Sequence, residues 1–135
     1  MAEGGELTNA PYRHAVKIRY GEVDLQGVVF NAHYMAYCDD ASDSWLRERL
    51  GRFEDLGWEP MVVKAVIEWQ GAAAMGDVLD IDLEVSRWGR TSFDIAFTGR
   101  VAERQVFTAT ITYVGVTPGD HTPIEPSAAI RAALA

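Results

Sequence analysis

The fold of this chain is decided by residues 24–34, which read Asp24-Leu25-Gln26-Gly27-Val28-Val29-Phe30-Asn31-Ala32-His33-Tyr34. Before this stretch, apolar and charged residues alternate with the period of a half-buried β-strand, in the order Val16, Lys17, Ile18, Arg19 and Tyr20. After it, apolar residues recur at the spacing of one helix face, at Tyr34, Tyr37, Cys38, Ala41 and Trp45. The stretch is therefore predicted to join a strand to a long helix.

Asp24 is the one carboxylate inside this stretch, and it precedes the expected helix N-terminus. The first backbone N–H groups of a helix have no intrahelical partner, and the helix dipole places partial positive charge there. A carboxylate beside such donors indicates an acyl-transfer site. The structural alternative is that Asp24 only shapes a turn or caps the helix, as Asp often does in loops. Asn31 is itself a good N-cap residue, so capping does not require Asp24.

Three segments of this region form a longer pattern, namely Arg19-Tyr20-Gly21-Glu22-Val23-Asp24, Gly27-Val28-Val29-Phe30 and Ala32-His33-Tyr34. Together they resemble the opening signature of the hot-dog-fold acyl-CoA thioesterases of the 4-hydroxybenzoyl-CoA thioesterase type. The resemblance continues through Gly76-Asp77 to Pro123 and Pro126, and so covers residues 12–130. It implies an α+β hot-dog fold, in which an antiparallel curled β-sheet wraps around one long central α-helix. It also implies a homodimer or homotetramer, with each active site shared between two subunits.

The resemblance also implies roles for individual residues. Asp24 would be catalytic, as nucleophile or as general base, and the sequence leaves this choice open. The backbone N–H of Asn31 would polarise the thioester carbonyl, and Gly27 would permit a close approach of the chain. Tyr34 and Asp39 are substrate-binding candidates, because an acidic helix residue at the position of Asp39 meets the ring hydroxyl in the hydroxybenzoyl-CoA branch. Many relatives carry His where this chain has Asn31, which disfavours a proton-shuttling scheme here.

The chain has 135 residues, with 20 acidic against 12 basic side chains and a formal charge of −8. This acidic balance disfavours nucleic acid and anionic membranes as partners. The phosphates of coenzyme A would need a local basic patch, for which Lys64, Arg87 and Arg90 are candidates; solvation of strand ends explains these residues equally well. We see neither a signal peptide nor an apolar segment of membrane-spanning length, so a cytoplasmic location is expected.

The chain has only three His and one Cys, with no spaced pair among them. The single Cys38 excludes an internal disulfide and is most simply a small core residue. His33 is predicted to be a structural, hydrogen-bonded residue, and His14 and His121 have no functional context. We therefore expect no metal site, and no cofactor beyond the coenzyme A thioester that is the substrate.

Hydrophobic periodicity predicts the remaining elements. Residues 1–10 are expected to be a flexible N-terminal leader, and residues 11–135 a single hot-dog domain. The helix is predicted over residues 32–50, ending at Gly51. Strands are predicted over residues 12–20, 61–69, 79–86, 93–97 and 106–116, the last three as an antiparallel meander. The strand over residues 61–69 is apolar enough to be buried on much of both faces. Residues 51–60 are expected to be a connection, and Ser127 to cap a short C-terminal helix.

The leading function is hydrolysis of an acyl-CoA thioester. An acyl-ACP substrate is an alternative, because the phosphopantetheine arm of an acyl carrier protein presents the same thioester. A non-catalytic acyl-CoA-binding module is a second alternative, since a fold does not fix a function. The dehydratases and hydratases of the same fold rely on a His paired with a carboxylate in another motif, which this sequence lacks.

Overall fold

The structure is a computed structural model that describes residues 11–135; the expected leader, residues 1–10, lies outside the described residues. Within residues 11–135, five strands and three α-helices follow one another. They are β1 (Tyr12–Lys17), α1 (His33–Leu50), α2 (Phe53–Leu56), β2 (Glu59–Trp69), β3 (Val78–Trp88), β4 (Ser92–Val101), β5 (Arg104–Val116) and α3 (Ala128–Ala133). In the part of the chain that the structure describes, no helix is both long and apolar enough to cross a membrane.

The strands form one antiparallel, curled sheet in the order β1-β3-β4-β5-β2. Strands β3, β4 and β5 are consecutive and adjacent, so the predicted meander is confirmed. Strands β1 and β2 lie at the two edges of the sheet. The predicted architecture, one long helix laid on an antiparallel sheet, is therefore correct.

The core lies between α1 and the inner face of the sheet. The five apolar helix positions predicted from the periodicity are all buried, as are alternate residues of the three central strands. The inner face of the sheet carries Leu79, Ile81, Leu83, Phe93, Ile95, Phe97, Phe107, Ala109, Ile111 and Tyr113. This alternation is what the sequence of each strand predicts, because successive side chains point to opposite faces.

Some element boundaries differ from the prediction, and others are confirmed. Strand β1 ends at Lys17 rather than at residue 20, because the chain turns into a 3₁₀ helix at Tyr20–Glu22. The connection over residues 51–60 contains the short helix α2. Helix α1 ends as predicted at Gly51, which has a φ of 80°. The C-terminal helix is confirmed, and the Ser127 hydroxyl oxygen accepts a hydrogen bond from the Ile130 N–H at 3.2 Å.

The prediction that β2 is buried on both faces is wrong for this single chain. Its apolar side chains are largely exposed, at 41% for Met61, 57% for Val63 and 46% for Val66. The reason is that β2 is an edge strand with only β5 beside it, and that Met61 and Val66 lie on the outer face of the sheet, opposite to Val114 and Thr110 of β5. A run of apolar residues is typical of a buried strand, but such a run does not reveal which element covers it.

Candidate active site

Residues 22–30 form a narrow hairpin that carries Asp24 near its tip. The N–H of Phe30 donates to the carbonyl of Glu22 at 3.1 Å, which closes the base of the hairpin. The N–H of Asp24 donates to the carbonyl of Val28 at 2.9 Å, which closes the tip. The hairpin begins at the 3₁₀ helix and ends where α1 starts, so it joins the two elements directly.

Gly27 determines the geometry of this tip. Its N–H donates to the Asp24 carbonyl at 2.9 Å, and its φ of 79° lies in the left-handed region. A three-residue hairpin loop that ends in a left-handed glycine is a common turn with a bulge. A Cβ at this position would meet nothing within 4 Å in the described chain. The glycine is therefore needed here for its backbone conformation, and its role in a close approach of substrate stays a prediction.

The Asp24 side chain is exposed, and its two carboxylate oxygens have different surroundings. Its Oδ1 accepts a hydrogen bond from the N–H of Gln26 at 2.8 Å, which is an Asx turn. The structural role considered for Asp24 is therefore present. Within residues 11–135, Oδ2 has no hydrogen-bond partner. One carboxylate oxygen thus shapes the turn, and the other faces solvent.

The N-terminus of α1 supplies backbone donors beside the base of the hairpin. The N–H of His33 donates to the Phe30 carbonyl at 2.9 Å, and the N–H of Tyr34 to the Asn31 carbonyl at 3.2 Å. In the described part of the chain, the N–H groups of Asn31 and Ala32 donate to no protein acceptor. Two adjacent donors are therefore open, of which the sequence predicted the first.

The side chain of Asn31 does not cap the helix. The cap position is Ala32, which has helical backbone angles and makes no side-chain cap bond. The expectation that Asn31 is the N-cap is therefore wrong. The reason is that the first turn already closes with bonds of the i→i+3 type, which place Asn31 inside the turn rather than at its boundary.

The segment that precedes β3, residues 71–77, forms a wall behind the hairpin. The N–H of Val29 donates to the Ala73 carbonyl at 2.9 Å, and the N–H of Ala73 donates to the Tyr34 hydroxyl at 3.4 Å. Tyr34 is only 1% exposed, and burial raises its pKa. It holds this wall in place; its predicted contact with substrate stays a prediction. No sequence pattern indicates the part played by Ala73, because Ala73 acts through its backbone.

A second feature, a cavity of about 320 Å³, lies beside the middle of α1 and the start of β2. Its lining combines two carboxylates, two hydroxyls and four apolar side chains, from Asp39, Asp43, Ser42, Tyr113, Leu46, Phe53, Pro60 and Val62. Burial raises the pKa of Asp39, and the neighbouring charge of Asp43 adds to the increase. The Asp39 carboxyl therefore lines a partly apolar cavity that Asp24 does not line.

Two of the three predicted CoA-binding cations are already paired. Arg87 donates to both carboxylate oxygens of Asp94, at 3.0 and 3.1 Å, and Arg90 lies 3.3 Å from a Glu125 oxygen. Lys64 is exposed and makes no ion pair within residues 11–135. Arg87 is nine residues along β3 from Val78, the end near the hairpin, which is a distance of about 30 Å. Within one chain, the structure does not bring Arg87 and Asp24 together.

Cys38 and His33 pack against other side chains of the described chain. Cys38 is fully buried, and burial raises the pKa of its thiol to about 12, so the prediction of a core residue is confirmed. The ring of His33 packs edge-on against Phe30, with 6.2 Å between centroids. Among residues 11–135, no group of three or more His, Cys, Asp or Glu side chains is placed to hold a metal ion.

This chain is similar to known proteins over most of its length. The model of the thioesterase-like superfamily matches residues 18–134. A 1,4-dihydroxy-2-naphthoyl-CoA hydrolase of Synechococcus elongatus is 30% identical over 93 residues, covering 65% of this chain and 68% of the relative. The acyl-CoA thioester hydrolase YbgC of Escherichia coli is 29% identical over 97 residues, covering 70% and 71%.

Solved structures agree on the fold. The crystal structure of a 1,4-dihydroxy-2-naphthoyl-CoA thioesterase from Synechocystis superposes with a TM-score of 0.80 at 18% identity, over 91% of this chain and 94% of that one. The hot-dog fold expected from the sequence is thereby confirmed. The match to the family model confirms the expected thioesterase family, while the 4-hydroxybenzoyl-CoA type stays a prediction. With this fold and with a family match over residues 18–134, the chain belongs to the thioesterase-like superfamily.

Proposed function

We propose that this protein is an acyl-CoA thioester hydrolase in which Asp24 acts as nucleophile or general base. The observation that carries the proposal is the hairpin of residues 22–30 together with the helix start that follows it. Within residues 11–135, one Asp24 oxygen near the hairpin tip and the N–H groups of Asn31 and Ala32 after its base have no hydrogen-bond partner. The two relatives with which the chain shares about 30% identity are named as hydrolases of CoA thioesters, which supports the substrate class.

The chemistry of a thioester suits such a small catalytic set. The departing thiolate belongs to a thiol with a pKa near 8.5, so it needs little protonation at neutral pH. What remains is to supply a nucleophile and to stabilise the oxyanion. Asp24 provides the first, either by attacking the carbonyl carbon or by taking a proton from water. The N–H groups of Asn31 and Ala32 provide the second, since preorganised backbone donors stabilise such charge by several kcal/mol. The reaction requires no cofactor.

We further propose that the working form is at least a homodimer paired along β2. An exposed apolar edge strand offers unpaired backbone groups to another chain, and natural proteins protect such edges. The other edge, β1, is protected: it has six residues, among them Arg13, His14 and Lys17. Strand β2 has 11 residues, with Met61, Val63 and Val66 exposed. A second copy of β2 would pair with the open backbone groups of this edge and would place its own side chains beside these residues.

A two-fold axis near the middle of β2 would join the two halves of the site. The Trp69 end of β2 lies beside the hairpin, since the Trp69 ring contacts that of Tyr34 with 6.0 Å between centroids. The opposite end lies beside the cavity, because Pro60 and Val62 line it. Antiparallel pairing of two copies exchanges these ends. It would set the Asp39 cavity of one subunit next to the Asp24 hairpin of the other, with Asp39 as the acyl-binding residue.

Lys64 is the basic residue best suited to the phosphates of coenzyme A. It lies at the centre of β2, near the proposed axis, and it makes no ion pair in the described chain. Arg87 and Arg90 would first have to leave Asp94 and Glu125, respectively. A cytoplasmic location stays a prediction.

The proposal is tested by following thiol release from short, long and aromatic acyl-CoAs, together with binding of the same compounds. Turnover of at least one acyl class is the expected result. Tight binding without turnover would instead support a non-catalytic acyl-CoA-binding module. Turnover of acyl-ACP, with neither binding nor turnover of any acyl-CoA, would support the carrier-protein alternative.

A further inference from the structure

Glu22, the last residue of the 3₁₀ helix, is hydrogen-bonded to two residues, Arg19 and Phe30. Its Oε1 accepts a hydrogen bond from the backbone N–H of Arg19 at 2.9 Å, and its Oε2 accepts one from Arg19 Nη2 at 2.9 Å. Its carbonyl accepts from the N–H of Phe30 at 3.1 Å. The Glu22 side chain is 13% exposed, whereas that of Arg19 is 80% exposed. Glu22 is therefore the buried partner of this pair.

The Glu22 carboxylate is also near Tyr37 of helix α1. The hydroxyl of Tyr37 is buried and has no hydrogen-bond partner within residues 11–135. Burial raises the pKa of Tyr37, and the nearby Glu22 charge raises it further. Glu22 thus lies near the helix whose N-terminus supplies the backbone donors, and it belongs to the hairpin that carries Asp24.

From these contacts we propose that Glu22 is a positioning residue, which holds the Asp24 carboxylate and the Asn31 N–H in a fixed position relative to each other. Glu22 precedes Asp24 by two residues, and through its carbonyl it fixes Phe30, the residue before Asn31. A displacement of Glu22 therefore moves the base and the donor relative to one another. The catalytic part of this inference rests on the function proposed above.

Glu22 itself is a poor candidate for the base. Both of its oxygens already accept hydrogen bonds from Arg19, and the Arg19 guanidinium holds the pKa of this carboxyl below its usual range. Asp24, in contrast, keeps one oxygen without a partner in the described chain. The two carboxylates therefore have different tasks, which are positioning for Glu22 and reaction for Asp24.

The test compares Glu22→Ala and Glu22→Gln with the wild type in steady-state kinetics. Misplacement of reacting groups by about 1 Å costs on the order of a hundredfold in rate. We expect kcat of Glu22→Ala to fall by about tenfold to a hundredfold, with KM unchanged within about twofold. Glu22→Gln should lie between Glu22→Ala and the wild type, because a glutamine oxygen can still accept from the Arg19 N–H.

Asp82→Asn is the matched control. It removes another carboxylate that is bonded twice by an arginine, Arg13, at 2.6 and 2.9 Å, on strand β3 outside the hairpin. Its kcat should equal that of the wild type. If folded Glu22→Ala has the same kcat as Asp82→Asn, or if its loss lies in KM alone, the inference is overturned.

Amide hydrogen exchange separates this inference from the proposed function. In Glu22→Ala, the N–H groups of Asp24 and Phe30, which are bonded within the hairpin, should exchange faster than in Asp82→Asn. Unchanged exchange at both amides would overturn the positioning role, whatever the turnover. Faster exchange in a protein that hydrolyses no thioester would retain that role and remove the proposed function.

Discussion

The backbone N–H of Asp24 donates to the carbonyl of Val28 at 2.9 Å, across a loop that ends in Gly27. This bond requires the left-handed φ of 79° at Gly27. It places the proposed catalytic carboxylate in the same hairpin that leads into the N-terminus of α1. The geometry of the site therefore depends on the backbone of one glycine.

Replacement of Gly27 by alanine is expected to lower both stability and activity. A left-handed conformation costs an L-residue about 1–2 kcal/mol, which should appear as a lower free energy of unfolding in a denaturant titration. Because the hairpin tip would relax, kcat should fall as well. Gly21→Ala is the control, since Gly21 has no positive φ and an added Cβ would meet nothing within 4 Å. Equal effects of the two substitutions would contradict this explanation.

A charge on the β2 edge is expected to break the proposed dimer. Val63 is 57% exposed on this edge strand, and a glutamate there would place like charges from two subunits close together. Val63→Glu should shift the protein towards monomer in analytical ultracentrifugation and should reduce turnover. Ala15→Glu puts the same charge on the opposite edge strand, β1, and should keep the oligomer. A monomeric wild type, or a Val63→Glu protein that remains a dimer, would exclude β2 pairing.

The ion pair of Arg13 with Asp82 is expected to contribute to stability only above the acidic range. Arg13 lowers the pKa of Asp82 in the folded protein, so the folded state binds its proton less readily than the unfolded chain does. The ion pair contributes fully to stability above the pKa of Asp82 in the unfolded chain, which is about 3.9. This contribution is lost as the pH falls through the lower pKa of Asp82 in the folded protein. The difference in Tm between wild type and Asp82→Asn should therefore be largest above about pH 5 and should shrink below pH 4.

Glu84→Gln, on the same strand, is the control for this pH series. Glu84 is exposed and makes no ion pair within the described residues. Its Tm difference from the wild type should change little over the same range. If the Tm difference between Asp82→Asn and the wild type grew towards low pH, its pH dependence would be the reverse of the one that the ion pair predicts.

The sequence predicted most of the fold because local periodicity decides it. The alternation in β3, β4 and β5 identifies the strands, and the spacing from Tyr34 to Trp45 identifies the helix. The sequence also predicted the turn that contains Asp24, since Gly27 follows three residues later.

Contacts between distant segments could not be predicted in the same way. Nothing in the sequence of β2 indicates that it is an edge strand, because an exposed pairing edge and a buried strand are both apolar. Arg87 appeared to be a free cation until its neighbour across the sheet, Asp94, was known. The same holds for Ala73, which supports the site through backbone groups that every residue shares.

The most direct test of the account is the rate of thioester hydrolysis by Asp24→Asn relative to Asp120→Asn. Both residues accept a backbone N–H two residues ahead, Asp24 from Gln26 at 2.8 Å and Asp120 from Thr122 at 3.3 Å, so both variants perturb a similar turn. An amide can accept this hydrogen bond, but it can act neither as base nor as carboxylate nucleophile. We predict that kcat/KM of folded Asp24→Asn falls by about 10²–10⁴, while Asp120→Asn retains the wild-type value. Equal turnover by the two variants would contradict a catalytic role for Asp24.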